Sequence, residues 1–122
     1  MRLPDVETLV IAFLNARLAP IQAHSKVPAS RPATFVRAWR TGGAALNRVI
    51  DQPIISVQAW APDGVSASDL AQDCREHLFN EYTLMPLVRS VEEVSGLYYD
   101  PDPTAGIDRY TFSVQLSVRA AR

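Results

Sequence analysis

Cys74 and His77 stand three residues apart in a segment with helical periodicity, so they share one side of a helix. A thiolate–imidazole pair needs that closeness. Two metal ligands need it too, but only His24 and carboxylates remain to complete a set. The plainer reading is a small buried Cys beside a His at the helix rim. Asp100, Asp102, Thr104 and Asp108 take positions one, three, five and nine of a calcium loop. The pattern breaks where it is most specific: Ala105 replaces the turn glycine, Thr111 replaces the bidentate Glu, and Pro101 and Pro103 stiffen the segment. A Pro-Asp loop at a strand end accounts for the same residues. Glu92 and Glu93 are adjacent, so on a strand they face opposite ways and cannot act as a paired acid and base. No phosphate loop, nucleophile elbow or dinucleotide fingerprint occurs, and Gly42-Gly43 alone is a weak phosphate signal. The residues call for no cofactor, no metal and no catalytic group.

Arg37, Arg40 and Arg48 with Trp39 combine charge and a stacking ring, as nucleic-acid grooves do. The formal net charge of −1 argues against specific nucleic-acid recognition, because the basic surplus of such proteins is missing. Arginine and aromatic residues are equally enriched at protein interfaces. At 122 residues with 48% hydrophobic composition, the chain suits a single domain, residues 1–122, with one packed core. No run of 18 apolar residues is present, so no membrane span is expected. Asp5 and Glu7 stand where a signal peptide needs a basic start and an apolar middle, which implies synthesis in the cytoplasm. A lone Cys74 cannot form an intrachain disulfide.

The elements that would position these groups follow from periodicity. Val6, Leu9, Val10, Phe13, Leu14 and Leu18 recur at helical steps over residues 5–18, and Pro20 stops the helix. Residues 19–33, with three prolines, read as a long strap without regular structure. Thr34–Thr41 and Ile54–Trp60 read as strands, joined through Gly42-Gly43 and residues 44–53. A second helix is expected from about Ala67 to Glu81, with Ser66 as its cap and Ala67, Leu70, Ala71, Cys74 and Leu78 buried. Leu87–Val94 is a third strand and 97–106 a loop. Ile107–Ala120 is a fourth strand, alternating so cleanly that one sheet face should be buried and the other polar. The order α-β-β-α-β-β predicts an α+β fold: a four-stranded, mostly antiparallel sheet with both helices on one face.

Residues 44–53 are the odd segment. Ala44, Ala45, Leu46, Val49 and Ile50 are apolar where a connection is normally polar. Either this arm folds back on its own core or it packs on a neighbouring subunit, where Arg48 and Asp51 could pair across the interface.

RTGG at 40–43, NRVIDQP at 47–53, ISVQAWA at 55–61, VEEVSG at 91–96, DPDPTAGIDRY at 100–110 and YTFSVQLSVR at 110–119 follow one another in this chain. Together they resemble the tail terminator proteins of long-tailed, siphovirus-type bacteriophages, especially those infecting actinobacteria. The likeness covers the whole chain in layout and is residue-specific from Phe35 onward. It implies a structural virion protein at the head-proximal end of the tail, not an enzyme. It implies a homohexameric ring that caps the tail tube, stops its polymerisation and offers a joining surface to the head–tail connector protein. DNA would pass through such a ring without being read. On this resemblance Arg40, Arg48 and Asp51 are candidates for subunit contacts, and Asp100, Asp102 and Asp108 for axial contact with an adjoining ring. Another head–tail connector, a tube-like subunit or a small α+β ligand-binding domain are the alternatives.

Overall fold

The computed structural model describes residues 2–103 and 107–121. Helix α1 spans Val6–Leu18 and α2 spans Gly64–Glu81. The strands are β1 (Ala23–His24), β2 (Phe35–Gly42), β3 (Ile50–Asp51), β4 (Ile54–Ala61), β5 (Val88–Tyr99) and β6 (Asp108–Arg119). The fold is α+β as expected, but the sheet has six strands rather than four and is mixed. β2, β4, β5 and β6 are the four expected strands. The two additional ones are two-residue pieces: β1, which runs parallel to β2, and β3, which pairs antiparallel with β6.

β3 is the near end of β4. Ile54 faces Gln115 and Asp51 faces Val118, so both pieces keep one register along β6. Pro53 has no N–H to give the ladder, and the line breaks at Gln52-Pro53. Val118 faces Asp51 on one side and Val88 on the other, which puts β5 on the far side of β6. The order across the sheet is therefore β1-β2-β4-β6-β5, with β3 extending β4. β5 runs on to Tyr99, five residues past its expected end, and shifts register three times against β6. Such bulges bend a strand and raise its twist.

The helix stripes follow the periodicity except at Leu9, which is half-buried and outside the core. Val6, Val10, Phe13, Leu14 and Leu18 of α1 and Ala67, Leu70, Ala71, Cys74 and Leu78 of α2 are buried. They share one core with Val36, Ala38, Ile55, Val57, Ala59, Phe112, Val114, Leu116 and Val118 of the sheet. Asp5 caps α1, accepting from the Thr8 N–H and hydroxyl. The cap of α2 is Asp63 rather than Ser66: its carboxylate accepts the Ser66 N–H at 2.8 Å and the Ser66 hydroxyl at 3.0 Å. Asp63 comes first in the chain and holds the better acceptor, so the helix starts three residues early. Hydrogen bonding to Ser66 holds the Asp63 carboxyl below its ordinary range.

The opposite sheet face is not simply polar and solvated. Ser56, Gln58, Trp60 and Thr111 are buried there too. The strap lays Arg31 over the Trp60 ring, Phe35 stacks on that ring at 5.0 Å, and Asp100 turns in to Gln58 and Thr111. Alternation in β6 reports which residues share a face and says nothing of what later covers it.

The β1/β2 edge is closed by side chains. Asn15 of α1 accepts the Ala23 N–H at 2.7 Å and donates to its carbonyl at 3.5 Å, standing in for a strand. Beyond β1, the edge-facing N–H of Arg40 is taken by the Glu7 carboxylate at 3.0 Å.

Candidate functional site

The residues with chemical potential are placed apart. Cys74 lies fully buried in the core, and burial pushes its thiol up to about 12, so no thiolate forms at neutral pH. His77 turns to Glu81 one helical turn on, and Arg17 of α1 approaches the same carboxylate at 3.6 Å. The hydrogen bond from His77 holds the Glu81 carboxyl below its ordinary value. Cys74 and His77 are therefore not assembled as a nucleophile and base.

The calcium-loop carboxylates each have a separate partner. Asp100 accepts from the Thr111 hydroxyl at 3.0 Å and lies 3.4 Å from Arg109. Asp102 meets Arg31 of the strap at 3.4 Å, and Asp108 accepts from the Tyr99 hydroxyl. Thr104 and Ala105 lie outside the described residues. Among the described residues no group of three or more His, Cys, Asp or Glu side chains is placed to hold a metal ion. Both Glu92 and Glu93 are exposed; Glu93 bonds Arg75 of α2 at 2.8 Å, and as successive residues of β5 the two point to opposite faces. Arg37 lies 3.9 Å over the Trp39 ring and donates to the Ser25 carbonyl at 3.1 Å, which fastens the strap.

The segment 44–53 is resolved into the far end of a β-hairpin. A register shift between Arg40 and Gly42 and a left-handed Gly43 (φ 84°) redirect the chain. A Cβ at Gly43 would meet the Gln52 carbonyl at 2.1 Å, so only glycine fits there. Ala45 then bridges Asp51. The tip closes on Asn47, whose side-chain oxygen accepts the N–H of Val49 at 2.9 Å and of Ile50 at 3.0 Å. The Val49 carbonyl accepts from Ala120 at 2.7 Å, tying the tip to the end of β6.

Beneath the tip sits one ion pair. Asp51 is 2% exposed, and Arg40 grips it with two parallel bonds, 2.8 and 3.1 Å. Arg40 also donates to the Gly42 carbonyl at 3.0 Å and the Gly43 carbonyl at 2.6 Å. Arg40 and Asp51 are thus engaged with each other inside one chain, and an Arg48–Asp51 pair across an interface would find Asp51 already occupied. Arg48 sits exposed at the tip. Around it Ala44, Ala45, Leu46 and Val49 are exposed, Leu46 at 64%. In the single chain the segment divides: residues 44–49 stand exposed, while Ile50 and Asp51 join the sheet against β6 and Asp51 and Pro53 are buried.

A second apolar feature was not legible in the sequence. Ala12 and Ala16 on the outer side of α1 stop short of the chain at 84–86 and leave a groove of about 330 Å³, walled by Leu9, Phe13, Leu84, Met85 and Pro86. Leu84 at its rim is 57% exposed. The only sequence signal was the pair of alanines on the polar side of an otherwise ordinary helix.

An exposed apolar tip and an apolar groove, beside scattered ionisable groups, are surfaces suited to contact with other proteins. The chain belongs to the phage tail termination protein family, whose model matches residues 2–98. That match includes α1 and the strap, ahead of the stretch from Phe35 that carries the quoted motifs. It stops short of the DPDPTAGIDRY loop and the YTFSVQLSVR strand. No curated protein matches the chain. The family places the protein among the structural components of the phage tail. No helix among the described residues is long and apolar enough to cross a membrane.

Proposed function

We propose that this protein is the terminator ring of a siphovirus-type tail: six copies close into a ring on the head-proximal end of the tail tube. One ring face mates with the tube protein, and the other accepts the head–tail connector and cannot add another tube ring. The ring lets DNA through without recognising its sequence. It is made in the host cytoplasm and ends in the virion. Termination needs no catalysis, only two unlike faces on one closed assembly.

The observation that carries this reading is the hairpin tip. Exposed aliphatic side chains cost stability and solubility in a lone chain unless something covers them. Here they are presented on a hairpin braced by the half-buried Arg40 on the buried Asp51 carboxylate, which holds the surface in place before any partner arrives. Of the six residues expected at contacts, Arg48 remains the one for direct subunit contact, with Arg40 and Asp51 supporting it from beneath. Asp100, Asp102 and Asp108 remain candidates for axial contact, acting through the loop they hold.

The test is twofold. Native mass measurement of the purified protein should give six copies, alone or with tail tubes. Deleting the gene should give overlong or unjoined tails. Tails of normal length beside tail-less heads would instead assign the chain to the connector, and a strict monomer that never co-purifies with tails would refute both readings.

A further inference from the structure

A closed ring built head to tail needs two different surfaces on each chain, a knob and a hole. The tip and the α1 groove have those shapes. We propose that the hairpin tip of one copy seats Leu46 and Val49 in the groove between α1 and residues 84–86 of the next copy. This proposal rests on the ring reading above and adds to it the two surfaces that meet.

Three observations support the pairing. First, the two surfaces do not satisfy each other within one chain: Leu46 is 64% and Leu84 57% exposed. The tip cannot swing over to its own groove, because Ile50-Asp51 pair with β6 and the Val49 carbonyl is held by Ala120. Second, the sizes agree. A groove of about 330 Å³ floored by Ala12 has room for the two aliphatic side chains of the tip, and its walls are apolar apart from Arg17 at one end. Third, the charges agree. Asp5, whose carboxylate caps α1 through Thr8 and keeps its charge, is exposed one turn before Leu9, on the same side of α1 as Ala12 and Ala16. Arg48, between Leu46 and Val49, would reach that carboxylate at the rim, where opposite charges set register. Arg17, at the other end of the groove, is already engaged by Glu81. Two aliphatic side chains do not make a whole interface, so this contact is its anchor, and polar neighbours would surround it.

Cysteines at Leu46 and Ala12 provide the direct test. Under mild oxidation the full-length Leu46→Cys/Ala12→Cys protein should give a ladder of disulfide-linked copies on a non-reducing gel. Leu46→Cys/Val65→Cys, with its second cysteine at the start of α2, should not. Cys74 is buried and should not interfere. In parallel, Leu46→Asp should weaken association by at least about tenfold, a typical loss at an interface anchor, while circular dichroism and melting stay as in the parent. A ring that persists in Leu46→Asp, or that forms without the Leu46–Ala12 link, overturns the tip-in-groove contact and leaves the ring reading standing. Linkage of Leu46 only to the tube protein overturns it as well. A parent protein that stays monomeric refutes both.

Discussion

The hairpin tip at 44–51 and the loop after β5 lie at opposite ends of β6, and they handle charge and apolar surface in opposite ways. At the tip, the one buried carboxylate is paired below the surface and the aliphatic side chains stand outside. At the loop, Asp100 turns inward and Arg31 reaches in from the strap to Asp102, so the polar groups fasten chain segments together. The tip therefore has its polar needs met and its apolar surface uncovered, which suits it to meet another protein. The loop spends its charges on its own chain. An ion pair can serve an interface without touching the partner, by holding rigid the element that does.

Removing the brace should break this contrast most severely. Arg40→Ala leaves the Asp51 carboxylate buried without a counter-ion and should cost about 3 kcal/mol in chemical denaturation, with assembly lost as well. Gly43→Ala should come next, at about 2 kcal/mol, because the added Cβ has a backbone oxygen in its place and φ is positive. Asp100→Ala should cost about 1 kcal/mol, the loss of a few partly buried hydrogen bonds, with no change in the association of purified protein. Equal loss of association in Asp100→Ala and Arg40→Ala would erase the distinction between the two regions.

The smallest effect is a titration. The hydrogen bond to the Asp108 carboxylate raises the Tyr99 phenol above its ordinary value of 10.0. A group raised on folding contributes stability below its unfolded pKa and loses that contribution as pH rises through the folded one. The stabilisation from Tyr99 should thus be intact at pH 9 and fade above about 10. Ultraviolet titration against Tyr99→Phe should find this phenol high, and Asp108→Asn should return it toward its ordinary value.

How much was readable in advance differs between the same regions. The stripes of α1 and α2 and the alternation of β6 are local patterns, and the core follows them except at Leu9 and Tyr110, which are only half-buried. β1 is two residues long and carries no alternation, so neither its pairing with β2 nor the bond from Asn15 to Ala23, eight residues on, can be read from its sequence. Pro53 reads as a break, and only the register along β6 shows the chain resuming the same line. Leu97, Tyr98 and Tyr99 follow a glycine and read as the start of the loop, yet pairing with β6 keeps them in the sheet. At the tip, the apolar residues and the three charged candidates could be named, but not the arrangement. Arg40 and Asp51 are eleven positions apart, and they meet only because the hairpin turns at Gly43.

Asn15 and Glu7, which close the β1/β2 edge, carry a consequence for behaviour at high concentration. An open strand border invites uncontrolled growth from sheet to sheet wherever many copies meet. Under the proposed function, a protein that ends a polymer would fail if it seeded one of its own. Two side chains on a single helix stand guard over that border, so the first helix does more than roof the core: it keeps the stopper from becoming a starter.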